Sequence, residues 1–306
     1  MYVVRPVPVT PTRLISSNAP ENDYVAWDFY QTYLVDEKVI YIPDVSGTAG
    51  AVTHRVYKSL QAGNLSKTPD QEPTWWLDVS ATNRWAMFDS VVNSQTVVTG
   101  NLTVAVQHGV INSVALMELD CASVNITMRL PNNTVLFNQD YSLRVEKQNS
   151  MYEYLNEPID YRRHLLVTDL PTNATAITTI TLTPITGITT TKCGVCVFGL
   201  ARYIGKLDVR PSIRIKDYSN KIVNDFGQTE LVKRATSKTV SCHLLILNDD
   251  IDEVFRIMNS LNSEPLAWFG LEKYELTAVF GYYGELEITL EDIGHSFCNL
   301  TIEGLI

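Results

Sequence analysis

The sequence predicts a mainly β, multidomain protein: a small β module, an antiparallel β-sandwich, and a C-terminal α+β domain with one helix on an antiparallel sheet. Three observations carry this. The chain has 306 residues, more than one core normally organises, so two or three domains are expected. Charged residues make up 19% against 45% hydrophobic, and Thr, Val, Asn and Ile are plentiful, which favours strands and turns over long solvated helices. One stretch alone, near the C-terminus, carries a clear helical period.

Residues 1–92 form the aromatic-rich part and hold Trp27, Trp75, Trp76 and Trp85, all but one of the chain's Trp residues. Short strand candidates such as Lys38-Val-Ile-Tyr-Ile42 and His54-Arg-Val-Tyr57 are separated by Gly, Pro and Asn. The insert Pro43-Asp-Val-Ser-Gly-Thr-Ala-Gly50 reads as an exposed loop. Large aromatics would compensate for a thin core in so small a module.

Residues 93–205 read as repeated short strands, among them Asn101-Leu-Thr-Val-Ala-Val106, Ser123-Val-Asn-Ile-Thr-Met-Arg129 and Ala176-Ile-Thr-Thr-Ile-Thr-Leu182. The second alternates apolar and polar residues, as a strand with one buried face should. Turn clusters at Pro131-Asn-Asn-Thr134 and Pro171-Thr-Asn173 punctuate them, a pattern of an antiparallel sandwich or jelly roll.

Residues 206–306 contain the helix, expected over 249–263. Ile251, Val254, Phe255, Met258 and Leu261 fall on one face, Asn248 or Asp249 is placed to cap it, and Pro265 to stop it. Strand candidates at 237–247, 276–283, 285–290 and 299–303 surround it, an arrangement of one helix on an antiparallel sheet.

Net charge is −10, and the basic stretches Arg162-Arg163-His164 and Lys233-Arg234 are short and isolated. A nucleic-acid binder needs clustered Lys and Arg to displace counterions from phosphates, so direct nucleic-acid binding is not expected. No apolar run approaches the roughly 18–20 residues that cross a bilayer, so no membrane insertion is expected. Met1 to Thr12 lacks the basic and apolar regions of a signal peptide, and five cysteines do not suit a disulfide scaffold; synthesis in a reducing cytoplasm is expected.

No Gly-x-Ser-x-Gly elbow, Walker loop, Gly-x-Gly-x-x-Gly turn or His-Glu-x-x-His helix occurs, so no catalytic residue, cofactor or enzymatic activity is expected. Cys193-Gly-Val-Cys196 has the spacing of a metal or redox pair, but two further ligands are missing and the pair lies in a β-rich run; buried thiols without metal are expected. The aromatic set is more informative. Sugar rings present apolar C–H faces, so Trp27, Tyr57, Trp75 and Trp76 are the candidate carbohydrate-stacking residues, with core packing as the alternative for each. Adjacent Trp75 and Trp76 would face opposite ways on a strand, so at most one belongs to the core.

The segment from Trp27 to Trp76, with Thr32-Tyr33, Lys38-Val-Ile-Tyr41, His54-Arg-Val-Tyr57 and Pro73-Thr-Trp-Trp76, resembles the small chitin-binding type of carbohydrate-binding module. Asp36-Glu37 stands where such modules carry Gly-Asp, so the turn there differs. The following Thr82-Asn-Arg-Trp-Ala-Met-Phe-Asp89 is similar to a string in tailed-bacteriophage virion proteins. Asp217-Tyr-Ser-Asn-Lys221, Asp225-Phe-Gly227 and Asn299-Leu-Thr-Ile-Glu-Gly-Leu305 fit that family in the same order. The resemblance implies a galactose-binding-like sandwich in the middle and a last domain like tail-tube and distal-tail folds. It also implies a virion location in the tail or tail-tip (baseplate or collar) complex. There the chain would act as a multi-copy ring or fibre support whose partners are copies of itself and other tail proteins. Recognition of a host surface glycan by the N-terminal module is the alternative role.

Overall fold

The computed structural model describes residues 1–42, 54–145, 159–207, 211–223, 229–234, 236–271, 275–290 and 294–305. The fold is mainly β, as expected, with one α-helix among the described residues. Its organising element is the fourteen-residue strand Thr190–Tyr203, rich in Val, Cys and Phe and buried through its middle. A strand of that composition can be covered on both faces. It pairs antiparallel with Thr96–Thr99 at its start, with Ser113–Asp120 along its length and with Tyr2–Pro6 at its end.

Tyr2–Pro6 in turn pairs with Leu266–Phe269, so the sandwich strands and the C-terminal strands form one continuous eleven-stranded sheet. A second sheet of five strands stacks on the sandwich part. Its order is Val135–Ser142, Ser123–Arg129, Ile177–Thr183, Leu102–Val106, Leu14–Ser17. Val104, Val124, Ile126, Ile180 and Leu182 from that sheet meet Val114, Leu116, Cys196 and Phe198 from the large one in a shared core. The alternation read in Ser123–Arg129 holds: Val124, Ile126 and Met128 are buried. The other face of the large sheet has a core of its own. There Val4, Met117, Val195 and Val197 pack with Ala267, Ala278 and Phe280, joining the two halves.

The first residues depart from the expected division after residue 92. Tyr2–Pro6 lies between the sandwich and C-terminal strands, and Leu14–Ser17 is an edge of the five-stranded sheet. The aromatic module is therefore an insertion between sandwich strands. It has four strands, Val25–Ala26, Lys38–Tyr41, Arg55–Ser59 and Trp76–Ala81, plus the pair Thr32–Tyr33 and Asn64–Leu65. Its core is Tyr33, Val39, Tyr57 and Trp76, the thin aromatic core the composition suggested. The expected loop over 43–50 and the Asp225-Phe-Gly227 anchor lie outside the described residues.

In the C-terminal half, helix Ile251–Ser260 covers one face of the sheet of Thr236–Leu247, Ala278–Thr289 and His295–Gly304. Ile251, Val254, Met258 and Leu261 turn to the sheet, but Phe255 is 56% exposed, a correction to the expected face. The capping expectation is also corrected: Asn248–Asp250 form a 3₁₀ turn and no side chain caps the helix. The Asn248 carboxamide oxygen instead accepts a hydrogen bond from Ser296 Oγ at 2.7 Å, which ties the helix entry to the neighbouring strand.

Candidate binding surface

Two of the four candidate stacking residues are enclosed. Tyr57 and Trp76 are 8% and 2% exposed, so neither can offer a face to a sugar. Trp76 packs against Tyr33 with ring centroids 5.2 Å apart, and its indole N–H donates to the Lys67 carbonyl at 2.8 Å. Burial raises the Tyr57 phenol above its ordinary range. Trp75, one residue before it, is half-buried, with the Lys67 ammonium 5.6 Å from its ring centre. Trp75 lies in the turn before the strand Trp76–Ala81, so strand alternation does not set its direction, and Trp76 is the one enclosed ring of the pair. Trp27 is half-buried too, edge-on to Tyr41 at 5.4 Å.

The exposed rings are neighbours that the sequence reading passed over. Phe29 is 46% and Tyr30 is 86% exposed. They continue the Trp27 cluster edge-to-face, with centroids 6.1 Å apart for Trp27–Phe29 and 5.4 Å for Phe29–Tyr30. Their backbone is fastened on three sides. Asp28 Oδ1 accepts the Tyr30 N–H at 2.9 Å, the Asp28 N–H donates to the Tyr33 hydroxyl at 2.6 Å, and Ser66 Oγ donates to the Phe29 carbonyl at 3.1 Å. A large aromatic held this way binds without first losing backbone freedom. The signal was the Asx turn of Asp28-Phe-Tyr30, visible in sequence but lost beside the tryptophans. Because successive rings stand at 84–85° to one another, the tip is a corner. A corner suits one saccharide unit or one apolar side chain better than an extended flat polymer face.

The string Thr82–Asp89 is the joint between module and sandwich. Trp85, Ala86 and Met87 are buried, and Asn83 bonds with the Val97 N–H and carbonyl and with the Pro20 carbonyl. Glu21 sits beneath, accepting from Thr82 Oγ1 at 2.8 Å, paired with His54 and 3.3 Å from Arg84. These residues fix how the tip is carried.

All five cysteines are buried and unpaired. Cys193 and Cys196 share one core although a regular strand would turn residues three apart to opposite faces. The reason is a local twist: Glu118, opposite Gly194, has a left-handed backbone at φ 51°, and a Cβ on Gly194 would lie 2.7 Å from the Glu118 Cβ. Burial pushes the Cys193 and Cys196 thiols well up and Cys121 up to about 12, away from the reactive thiolate form. Among the described residues no group of three or more His, Cys, Asp or Glu side chains is placed to hold a metal.

Two histidines have partners that resemble catalytic geometry. His108 Nε2 lies 2.6 Å from Thr178 Oγ1, but both residues are sealed in the core. His164 lines an open cleft of about 490 Å³ with Glu118 and Lys238. Its Nδ1 accepts the Glu118 N–H at 3.5 Å, and the Glu118 carboxylate is 4.0 Å from Nε2. The Lys238 ammonium is committed to the Ala278 carbonyl at 3.0 Å.

Burial, with Lys238 and Arg163 adding to it, lowers the His164 pKa to about 4. Unfolding restores a value of about 6.5, so the unfolded chain binds the extra proton between those limits. Stability is therefore expected to fall as pH drops from about 6.5 to 4, by on the order of 3 kcal/mol from this group. Urea midpoints at pH 7 and pH 4.5 check this: His164→Gln should show a smaller drop than the parent, and equal drops would exclude His164 as the source. Comparison with protein-family models, curated proteins and solved structures returns no match for this chain.

Proposed function

We propose that this chain is a structural component of a tailed-phage virion, in the tail or tail-tip complex, present in several copies and acting through contact, without catalysis. The observation that carries the reading is the role of the virion-like string Thr82–Asp89. In this chain it is a buried joint that mounts an aromatic module on a body whose two halves share one sheet. A continuous sheet with a module fastened to it suits a scaffold that positions a neighbour. His108 and all five thiols are sealed within the fold, which suits the same role. Mass spectrometry of purified particles tests it: the chain should be present at a stoichiometry of several copies per tail. Its absence from particles would overturn the reading.

A second reading, contact with a host surface glycan, is favoured by the fastened, 86% exposed Tyr30 beside Phe29. On this reading Tyr30→Ala abolishes binding on a glycan array and leaves the melting temperature unchanged. Trp76→Ala, by contrast, should cost about 3–5 kcal/mol and unfold the module. Array binding that survives Tyr30→Ala would remove the tip as the site.

A further inference from the structure

Strands Asn220–Val223 and Thr229–Val232 pair only with each other among the described residues. A two-stranded hairpin is marginal in water on its own. Yet this one leaves Ile222, Leu231 and Val232 at 46%, 69% and 38% exposed. By register Ile222 and Val232 share one face and Leu231 lies on the other, so neither face is purely polar. The surroundings are basic for so acidic a chain. Residues 212–234 contain five Lys or Arg (Arg214, Lys216, Lys221, Lys233, Arg234) against three Asp or Glu, in a protein of net charge −10.

A groove of the opposite character lies between the helix and the end of strand Thr236–Leu247. Its volume is about 370 Å³, and Ile204, Val254 and Ile257 line it, with Tyr203 and Leu247 more than half exposed at its rim. Asp250 and Glu253 stand on the helix side, next to Asp249 and Asp252; Lys206 and His295 also line it. Residues 249–253 thus place four acids and no base beside an apolar trough.

The arm and the groove belong to opposite ends of one strand. The arm is rooted where Asp217 pairs with Thr236, and the groove is lined by Leu245, Ile246 and Leu247. Eleven residue steps at about 3.3 Å put the two roughly 35 Å apart. A hairpin of two four-residue strands leaving at the Thr236 end cannot reach its own chain's groove.

We propose that the arm of one copy lies in the groove of the next, its apolar residues on the trough and Lys233 and Arg234 against Asp250 and Glu253. The contact is head-to-tail, so it generates a ring where the rotation between copies closes. This rests on the reading of the chain as a multi-copy component, and identifies the surface through which copies meet.

Sedimentation velocity on the full chain, with melting temperature as the folding control, tests it by charge reversal. The parent should self-associate. Lys233→Glu with Arg234→Glu, or Asp250→Arg with Glu253→Arg, should each weaken association by about tenfold or more, and the two sets combined should restore it. A monomeric parent at every concentration reached, unchanged association in both sets, or no rescue in correctly folded protein would overturn the contact. Particle composition separates the two ideas: a chain present in many copies per tail but indifferent to both reversals leaves the virion reading standing and removes the arm.

Discussion

Met258→Asp is expected to unfold the C-terminal half at neutral pH. Met258 is fully enclosed between its helix and the sheet, among Val254, Leu261, Trp268 and Ile302. Removing its side chain from such a site costs about 2–5 kcal/mol in lost transfer energy and cavity formation. A buried carboxyl without a hydrogen-bond partner adds about 2–7 kcal/mol. The sum is comparable with the whole stability of a domain, roughly 5–15 kcal/mol. The introduced carboxyl has a folded pKa raised above about 3.9, so the added cost of charge appears above that pH and shrinks below it. Urea denaturation at pH 7 and pH 4 reads both effects. Phe255→Asp, on the exposed face of the same helix, is the control and should change stability by about 0.5 kcal/mol or less. An unchanged midpoint for Met258→Asp would mean that this helix face is not packed on the sheet.

Gly199→Ala should split the seam between the two halves. Gly199 lies in the long central strand opposite both Pro6 and Ser113, so it has strand backbone on each side. A Cβ there would sit 2.2 Å from the Arg5 carbonyl oxygen and 2.7 Å from a Val4 methyl. Neither atom belongs to the far end of a flexible side chain, so the strand Tyr2–Pro6 must shift. Overpacking costs about 1–3 kcal/mol where side chains can yield, and an obstructing backbone puts this site at or above the top of that range. Since Tyr2–Pro6 links Thr190–Tyr203 to Leu266–Phe269, the loss should appear as earlier, separate melting of the two halves. Differential scanning calorimetry would show it as a broadened or divided transition. Gly284→Ala, whose nearest neighbour is the exposed end of the Glu303 side chain at 3.3 Å, should leave the transition intact. Equal traces for the two variants would show that the seam does not couple the halves.

Much of the local architecture was legible in sequence because its signals are local. Alternation marked Ser123–Arg129, and the helical period placed Val254, Met258 and Leu261 on one buried face. Of the adjacent pair only Trp76 is enclosed, but Trp75 sits in the turn before the strand, so strand geometry does not set its direction. Local signals also misled where two side chains competed for the same role: Phe255 fits the helical period as well as Met258 does, and only the packing of the helix on the sheet decides which is covered.

The candidate surface was less legible. Trp27, Tyr57, Trp75 and Trp76 were singled out for ring size, but a small module needs its largest rings as core, so two are enclosed and the exposed corner falls to Phe29 and Tyr30. Exposure is a property of what packs nearby, which no spacing encodes. The composition and the periods of this sequence by themselves determined that the chain is mainly β with one amphipathic helix, because strand and helix preferences act within a few residues. Only the tertiary structure decided that Tyr2–Pro6 stitches two halves into one sheet and that the hairpin arm and the acidic groove lie at opposite ends of one strand. The first of these joins residues about two hundred positions apart, as in Tyr2 with Tyr203, and backbone hydrogen bonds between strands carry no residue-specific mark by which the sequence could announce its partner.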